Sequence, residues 1–145
     1  MKKILLITLT LISIIIFSAC ANQDTMPLDY PEGDTVTVEN PYMTITLPEG
    51  WNEKAQYQVN DECISIYCKS IYDKYESMGH ICSFMIFKDD SYKQLPDYKV
   101  LNQTKDYTCI MTRPTDVQFD EDTASEYHEM EKQIDWIVSY IHMRK

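Results

Sequence analysis

The chain has 145 residues, with 23 acidic side chains against 13 lysines and arginines, and a formal net charge of −10. This length fits one domain with a hydrophobic core of its own. The negative charge opposes contact with nucleic-acid phosphates and anionic lipid headgroups, so we expect no nucleic-acid partner and no basic membrane-binding patch.

The N-terminal residues are typical of a secretion signal, because Lys2 and Lys3 precede an apolar run from Ile4 to Phe17. A membrane-spanning helix needs about 20 apolar residues, and this run is shorter. The run closes on Phe17-Ser18-Ala19-Cys20. Small residues directly before a cysteine at this place resemble the lipobox of bacterial lipoproteins.

This resemblance implies that residues 1–19 are a signal peptide and that Cys20 becomes the lipidated first residue, outside the cell membrane. An uncleaved signal anchor, or ordinary cleavage near Ala19 or Ala21, is the alternative. Stable attachment needs two or more acyl chains, such as a diacylglycerol group with palmitate, since one chain anchors weakly. Residues 20–34 contain prolines and polar residues and predict a flexible tether behind the lipidated cysteine.

Two short strands are predicted after the tether. Thr35–Val38 and Met43–Leu47 alternate in polarity, and Asn40-Pro41 between them favours a turn, so we expect a hairpin or a kinked pair of strands. Trp51 follows the second strand. Its large ring favours a place in the core, with one partner for the indole N–H.

The middle of the chain predicts the strongest strands. Glu62–Cys68 alternates with a period of two residues, and Lys69–Met78 then favours a short helix or an ordered loop that ends at Gly79. His80–Lys88 is apolar on both faces. This pattern predicts a central strand in a sheet that is covered on both sides.

The last third predicts a connection over Tyr92–Tyr98 and then strand segments at Lys99–Leu101 and Tyr107–Arg113, with a turn near Asn102 between them. A loop from Pro114 leads into the final helix.

The final helix is predicted to begin near Thr123, which with Glu126 fits a capping box. Apolar residues then recur every three or four positions, which predicts an amphipathic helix of about 20 residues. The apolar stripe consists of Tyr127, Met130, Ile134, Ile137, Val138 and Ile141.

Two stretches together resemble a known group of proteins. Ile45–Trp51 is a strand that ends in Leu-Pro shortly before a tryptophan, and Pro114–Phe119 is a Pro-Thr-Asp-Val-Gln loop before the last helix. This layout resembles small secreted lipoproteins of unknown function from Gram-positive bacteria, with a PsbP-like fold. The resemblance implies one α+β domain over residues 35–145, an antiparallel β-sheet flanked by helices in a PsbP-like sandwich, with a long C-terminal amphipathic helix. Proteins of the wider fold act in assembly or binding, so the resemblance implies no catalysis.

Four cysteines follow the lipobox, an even number in an extracytoplasmic compartment, so we expect two disulfides. Cys68 ends one predicted strand and Cys82 begins the next, and antiparallel pairing would bring the two within disulfide range. Cys63 and Cys109 are then left as the second pair. Buried free thiols are the alternative.

No pattern specifies a cofactor or a catalytic group. Cys63, Cys68, His80 and Cys82 are spaced more loosely than the ligands of structural zinc sites, and the acids around Asp120 lack the order of a calcium-binding loop, so we expect no metal. Tyrosines are abundant and suit an adaptable binding surface, although sheets favour them too. The candidate binding surface comprises Tyr67, Tyr72, Tyr75, Tyr92 and Tyr98.

The expected function is that of a membrane-tethered extracytoplasmic lipoprotein that binds a protein or cell-envelope component and is not an enzyme. Its expected location is the outer face of the cell membrane, held there by the lipid anchor. The alternatives are an assembly or accessory subunit of a membrane complex, and a wall- or peptide-directed hydrolase or thiol enzyme.

Overall fold

The computed structural model describes residues 35–144, which form eight β-strands in two antiparallel sheets with short helices between them. This architecture confirms the predicted α+β class with antiparallel sheets. The predictions for the signal peptide of residues 1–19, for Cys20 and for the tether up to residue 34 lie outside the described residues. None of the helices between residues 35 and 144 is long and apolar enough to cross a membrane.

The strands are β1 (Val36–Glu39), β2 (Met43–Leu47), β3 (Ala55–Asn60), β4 (Cys63–Cys68), β5 (His80–Phe87), β6 (Lys99–Gln103), β7 (Thr108–Thr112) and β8 (Ile141–Met143). The helices are α1 (Trp51–Lys54), α2 (Lys69–Tyr75), α3 (Ala124–Lys132) and α4 (Ile134–Ser139), and a 3-10 helix covers Asp90–Gln94.

The first sheet has the order β1-β2-β8 and contains the predicted hairpin. The side chain of Asn40 makes its turn, because its Oδ1 accepts the backbone N–H groups of Tyr42 and Met43, each at 3.0 Å. β8 pairs along the other edge of β2. The prediction that Ile141 continues the last helix is therefore wrong. The helix ends at Ser139, and the alternating Ile141 and Met143 instead supply the edge of β2 with a partner strand.

The second sheet has the order β3-β4-β5-β7-β6, which confirms the predicted central place of β5. Ser83 and Phe84 are neighbours in β5 that point to opposite faces, and both are buried. Both faces of the sheet are therefore covered at its centre. β3 was not predicted from the sequence, and most of its residues are exposed.

The two faces of the second sheet differ in composition. The helix face carries Ile64, Ile66, Phe84, Ile86 and Met111, which pack in one core with α3, α4, Trp51 and the first sheet. The opposite face, which we call the groove face, carries Cys63, Ser65, Tyr67, Ser83, Met85 and Thr112. On it, Tyr92 of the 3-10 helix is buried and its ring lies 6.0 Å from that of Phe87. The rest of the groove face is less well covered.

The C-terminal helix is shorter than the predicted 20 residues and is interrupted at Gln133. Tyr127, Met130, Ile134 and Ile137 are buried, which confirms the inward side of the predicted stripe. Trp136, which the stripe did not include, is buried as well.

The predicted capping box at the start of this helix is wrong. Thr123 Oγ1 lies 2.7 Å from Oδ1 of Asp120, and Glu126 accepts a hydrogen bond from Ser70 at 2.5 Å. Asp120 also accepts from Lys74 and Tyr75 of α2, so the loop before α3 is tied to another helix. Hydrogen bonds to Asp120 and to α2 therefore take the place of the predicted capping box.

Candidate functional site

A groove of about 430 Å³ opens on the groove face, at the end of the sheet where β5 begins. This volume lies within the range of sites for small ligands or short segments, about 300–1,000 Å³. Two connections form its rim, one around Pro96 and one from Arg113 to Gln118. The wall includes Tyr67, His80, Met85, Arg113, Asp116 and Gln118, and we call this cavity the Tyr67 groove.

Two rings of an aromatic row, those of Tyr67 and His80, line one side of the groove. The ring of Tyr67 lies 5.1 Å from that of Tyr72 and 5.2 Å from the imidazole of His80. The alternation of β4 turns Tyr67 onto the groove face, and α2, which follows directly, brings Tyr72 beside it, outside the groove lining. Gln58 donates to the Tyr72 hydroxyl at 3.1 Å. The rings are tilted by 59° and 49° to one another, so Tyr67 and His80 each offer a separate face to a sugar ring, an aromatic group or a proline.

Two hydrogen bonds fix the backbone of His80. Its N–H donates to Oε1 of Gln118 at 3.2 Å, and its carbonyl accepts from the Tyr127 hydroxyl at 2.7 Å. Gln118 is fixed in turn by donating to Asp116 at 2.8 Å. Burial lowers the pKa of His80, against the opposing effects of a hydrogen bond with the Cys82 backbone and the charge of Asp116. The imidazole is therefore neutral at neutral pH and serves as a polar ring in the groove wall.

A line of polar side chains runs from His80 across the sheet. His80 Nε2 lies 2.8 Å from Oγ of Ser83, which lies 2.7 Å from Oγ of Ser65, and Ser65 is 3.4 Å from the Cys63 sulfur. A histidine in contact with a serine is the first requirement of an activated nucleophile. However, Ser83 is only 6% exposed, it does not line the groove, and its oxygen is shared with Ser65. Within residues 35–144, no carboxylate hydrogen-bonds to the imidazole. The line satisfies buried polar groups between β4 and β5.

Arg113 supplies the positive charge of the groove. It is half-buried and forms no ion pair with any carboxylate in the described part of the chain, although Asp97 and Asp116 also line the groove. A guanidinium in this state has donors left for a ligand oxygen. The groove thus combines an aromatic row with charges of both signs.

The five candidate tyrosines do not form one surface. Tyr67 lines the groove, and Tyr72 packs against it from outside the lining. Tyr75 lies elsewhere, where its hydroxyl donates to Asp120 at 2.8 Å. Tyr92 is buried and packs edge-on against Tyr98 at 5.3 Å, so these two rings cover the other end of the groove face. Of the five, only Tyr67 contributes directly to the groove.

The four cysteines are free thiols in the structure, not the two expected disulfides. Cys63 lies on the groove face and Cys109 on the helix face, with β5 between their strands, so the sheet keeps these two apart. Cys68 lies opposite Ala55, and Cys82 lies opposite Ile66. Cys68 and Cys82 are thus diagonal neighbours, and a diagonal separation of about 7–8 Å exceeds the disulfide range of about 4.4–6.8 Å.

Burial also sets the chemistry of the thiols. It raises the pKa of Cys82 and of Cys109 to about 12, against the opposing charge of Arg113 at Cys82. Burial raises the pKa of Cys68 as well. Thiols with raised pKa values are weak nucleophiles and weak metal ligands at neutral pH. No three His, Cys, Asp or Glu side chains between residues 35 and 144 are arranged to hold a metal ion.

Sequence reasoning missed the second wall of the groove. Asp116 and Gln118 were assigned only to the loop before the last helix, and Arg113 was predicted as the end of the strand that the structure ends at Thr112. Gln118 is buried, and its backbone carbonyl accepts from Gly79 at 3.0 Å while its side chain binds His80. The Pro-Thr-Asp-Val-Gln motif was the available signal, since a glutamine in a loop that ends in an apolar residue can be a tertiary anchor. Comparisons with protein-family models, with curated proteins and with solved structures find no match to this chain.

Proposed function

We propose that this chain is a membrane-tethered extracytoplasmic lipoprotein that binds a protein or cell-envelope component without catalysing a reaction, and that the Tyr67 groove is its binding site. The observation that carries the proposal is the combination, in one groove, of the rings of Tyr67 and His80 with Arg113, which forms no ion pair among residues 35–144. The rings suit an apolar or sugar surface, and the guanidinium suits an acidic oxygen. The lipid anchor is supported by the lipobox at Cys20.

A role as an assembly or accessory subunit of a membrane complex is the second hypothesis, in which the same groove would bind a segment of another protein. The contact of His80 with Ser83 is the specific observation in favour of a hydrolase. The burial of Ser83 favours binding over catalysis, because a substrate in the groove does not reach its hydroxyl. The raised pKa values of the buried thiols argue in the same way against a thiol enzyme.

The finer fold assignment also belongs to this proposal. We infer a PsbP-like sandwich and membership in the group of small Gram-positive lipoproteins. Two antiparallel sheets that share one core with a C-terminal helix support this inference, together with the Leu-Pro and Pro-Thr-Asp-Val-Gln motifs.

The lipid anchor is tested by growing cells that express the full chain with radiolabelled palmitate. Label should enter the protein, and Cys20→Ala should abolish labelling and leave the precursor unprocessed or released from the membrane. Incorporation that survives Cys20→Ala would contradict the lipoprotein assignment.

The groove is tested by capturing partners from membranes with the tethered full chain after chemical cross-linking. Arg113→Gln and Tyr67→Ala, which both change residues that line the groove, should each reduce the captured component, whereas Lys132→Gln, which removes an exposed charge on α3, should not. Circular dichroism spectra must show that all three variants are folded. Capture that is equal for all of them would place the binding site outside the groove.

A further inference from the structure

One edge of the second sheet is unprotected. β3 pairs with β4 on one side and with no strand on the other among residues 35–144. Its sequence, Ala-Gln-Tyr-Gln-Val-Asn, contains no charged residue and no proline, and all six residues pair with β4 without a bulge. Edge strands usually carry charges, prolines or bulges, because an open row of N–H and C=O groups pairs with another chain. β3 has none of these protections.

The other edge of the same sheet is protected. β6 begins at Lys99 and has a register shift between Val100 and Asn102 against β7. A charge and a bulge are two of the devices that prevent pairing between edges. The contrast between β6 and β3 identifies β3 as the edge that is free to pair.

The outward groups of β3 belong to Tyr57 and Val59. A two-residue turn joins Asn60 to Cys63, and in such a hairpin the closing pair exchanges hydrogen bonds, so every second residue back from Asn60 also bonds to β4. The intervening Tyr57 and Val59 then direct their N–H and C=O groups to the free side. The side-chain amide of Gln56 donates to the Tyr57 carbonyl at 3.3 Å, in agreement with this orientation.

We propose that β3 pairs in antiparallel fashion with β3 of a second copy of this chain, about a two-fold axis beside Tyr57, so that the two sheets become one. In this register Tyr57 faces Tyr57 of the second copy, Gln56 faces Gln58, and Ala55 faces Val59. Every pair is compatible: two aromatic rings, an amide with an amide, and two apolar groups. An isologous contact of this kind requires a self-complementary strand, and β3 satisfies that requirement.

β3 itself presents no charge to a second copy of this acidic chain. The chain carries a formal net charge of −10, so most approaches of one copy to another are repulsive. In this register Lys54 of each copy lies opposite Asn60 of the other and Glu53 lies opposite Asp61, so the flanking charges add no net attraction and the pairing rests on β3 itself. Tyr57 and Val59, which are 40% and 45% exposed, then lose water-accessible apolar surface.

Association is tested by sedimentation of the full chain in detergent over a range of protein concentrations. The wild-type chain should dimerise weakly, as a six-residue edge buries little area. Val59→Lys should weaken dimerisation by roughly tenfold, because it puts a lysine on the edge strand, opposite the apolar Ala55 of the second copy. Val100→Lys is the matched control, since Val100 is 44% exposed on the protected edge, and it should dimerise like wild type. A monomer at every concentration, or equal effects of the two substitutions, would overturn the proposal.

The register is tested by oxidative cross-linking of cysteine variants of the full chain on membranes. Tyr57→Cys should give a covalent dimer, since directly paired Cα atoms are about 5.5 Å apart and a disulfide accepts about 4.4–6.8 Å. Val59→Cys should not, because its counterpart lies four residues away along the strand, about 14 Å. The wild-type chain reports the background from the native cysteines. A dimer from Val59→Cys and none from Tyr57→Cys would refute the register.

Discussion

The indole N–H of Trp51 donates to Oε1 of Gln133 at 2.7 Å, across 82 residues of sequence. Trp51 is buried at the start of α1, and Gln133 stands at the interruption between α3 and α4. The bond therefore fixes the place where the C-terminal helix changes from α3 to α4 over the core. It also meets the expectation that a buried tryptophan has one partner for its N–H.

Gln133→Ala should destabilise the domain by about 1–3 kcal/mol, because it leaves the buried indole donor without an acceptor. Gln133→Glu keeps an acceptor oxygen and should cost less. Gln58→Ala removes an exposed hydrogen bond from a side-chain amide and should change stability by under about 0.5 kcal/mol. Urea unfolding of the three variants provides the measurement, and equal midpoints would show that the Trp51 bond contributes nothing.

Ile134→Ala should cost about 2–5 kcal/mol, since Ile134 is fully buried in the shared core and truncation leaves a cavity. His128 lies on the exposed side of α3, and His128→Ala should cost less than about 1 kcal/mol. Denaturant unfolding distinguishes the two. The inward face of the helix would be misassigned if His128→Ala proved the more damaging change.

The two glycines with left-handed backbone give a matched pair. Gly50 has φ +77° and open space around the position of a Cβ, whereas a Cβ at Gly79, with φ +83°, would lie 2.9 Å from the Cys68 carbonyl oxygen. Gly50→Ala should therefore cost roughly 1–2 kcal/mol for conformation alone. Gly79→Ala should exceed it by at least about 1 kcal/mol, because the contact adds overpacking. A smaller loss at Gly79 than at Gly50, measured by thermal unfolding, would contradict the close approach of Gly79 to Cys68.

The partly buried His80 should make stability depend on mildly acidic pH. Its pKa in the folded state is lowered from 6.5, so the unfolded state binds the proton more readily. Stability from this site is present above pH 6.5 and is lost as the pH falls through the folded pKa. His80→Gln should flatten the dependence of the free energy of unfolding on pH in this window. An unchanged slope in the variant would show that other groups cause the loss.

Thiol titration should find free cysteines. When the chain is unfolded without a reductant, Cys63, Cys68, Cys82 and Cys109 should all react with a thiol reagent, apart from any contribution of Cys20. In the folded protein the three buried thiols should react far more slowly than the half-buried Cys63. Four unreactive cysteines in the unfolded chain would instead support the disulfides that the cysteine count predicts.

Periodicity in the sequence was sufficient where one face of an element is buried. It predicted β4, the central β5, the hairpin of β1 with β2, and the inward position of Ile134 on the last helix. In these elements the alternating or helical spacing of apolar residues shows which side chains face the core. It could not predict β3, since Tyr57 and Val59 remain exposed and the residues of this strand do not alternate between a buried and an exposed face. For the same reason the end of the helix was misplaced: Ile141 fits a helical stripe and a strand equally well.

Residue patterns alone were enough to predict the α+β class and much of the buried core, because both follow from local periodicity. The register between strands became visible only in the folded domain, and it places the residues of the groove. It separates Cys63 from Cys109 on opposite faces, and it places His80 beside Tyr67 to form the groove wall. Arg113 and Gln118 complete that wall from a loop nearly forty positions away in the chain. Local sequence patterns do not predict such contacts, because strand pairing and the position of the loop depend on side chains that are distant in sequence.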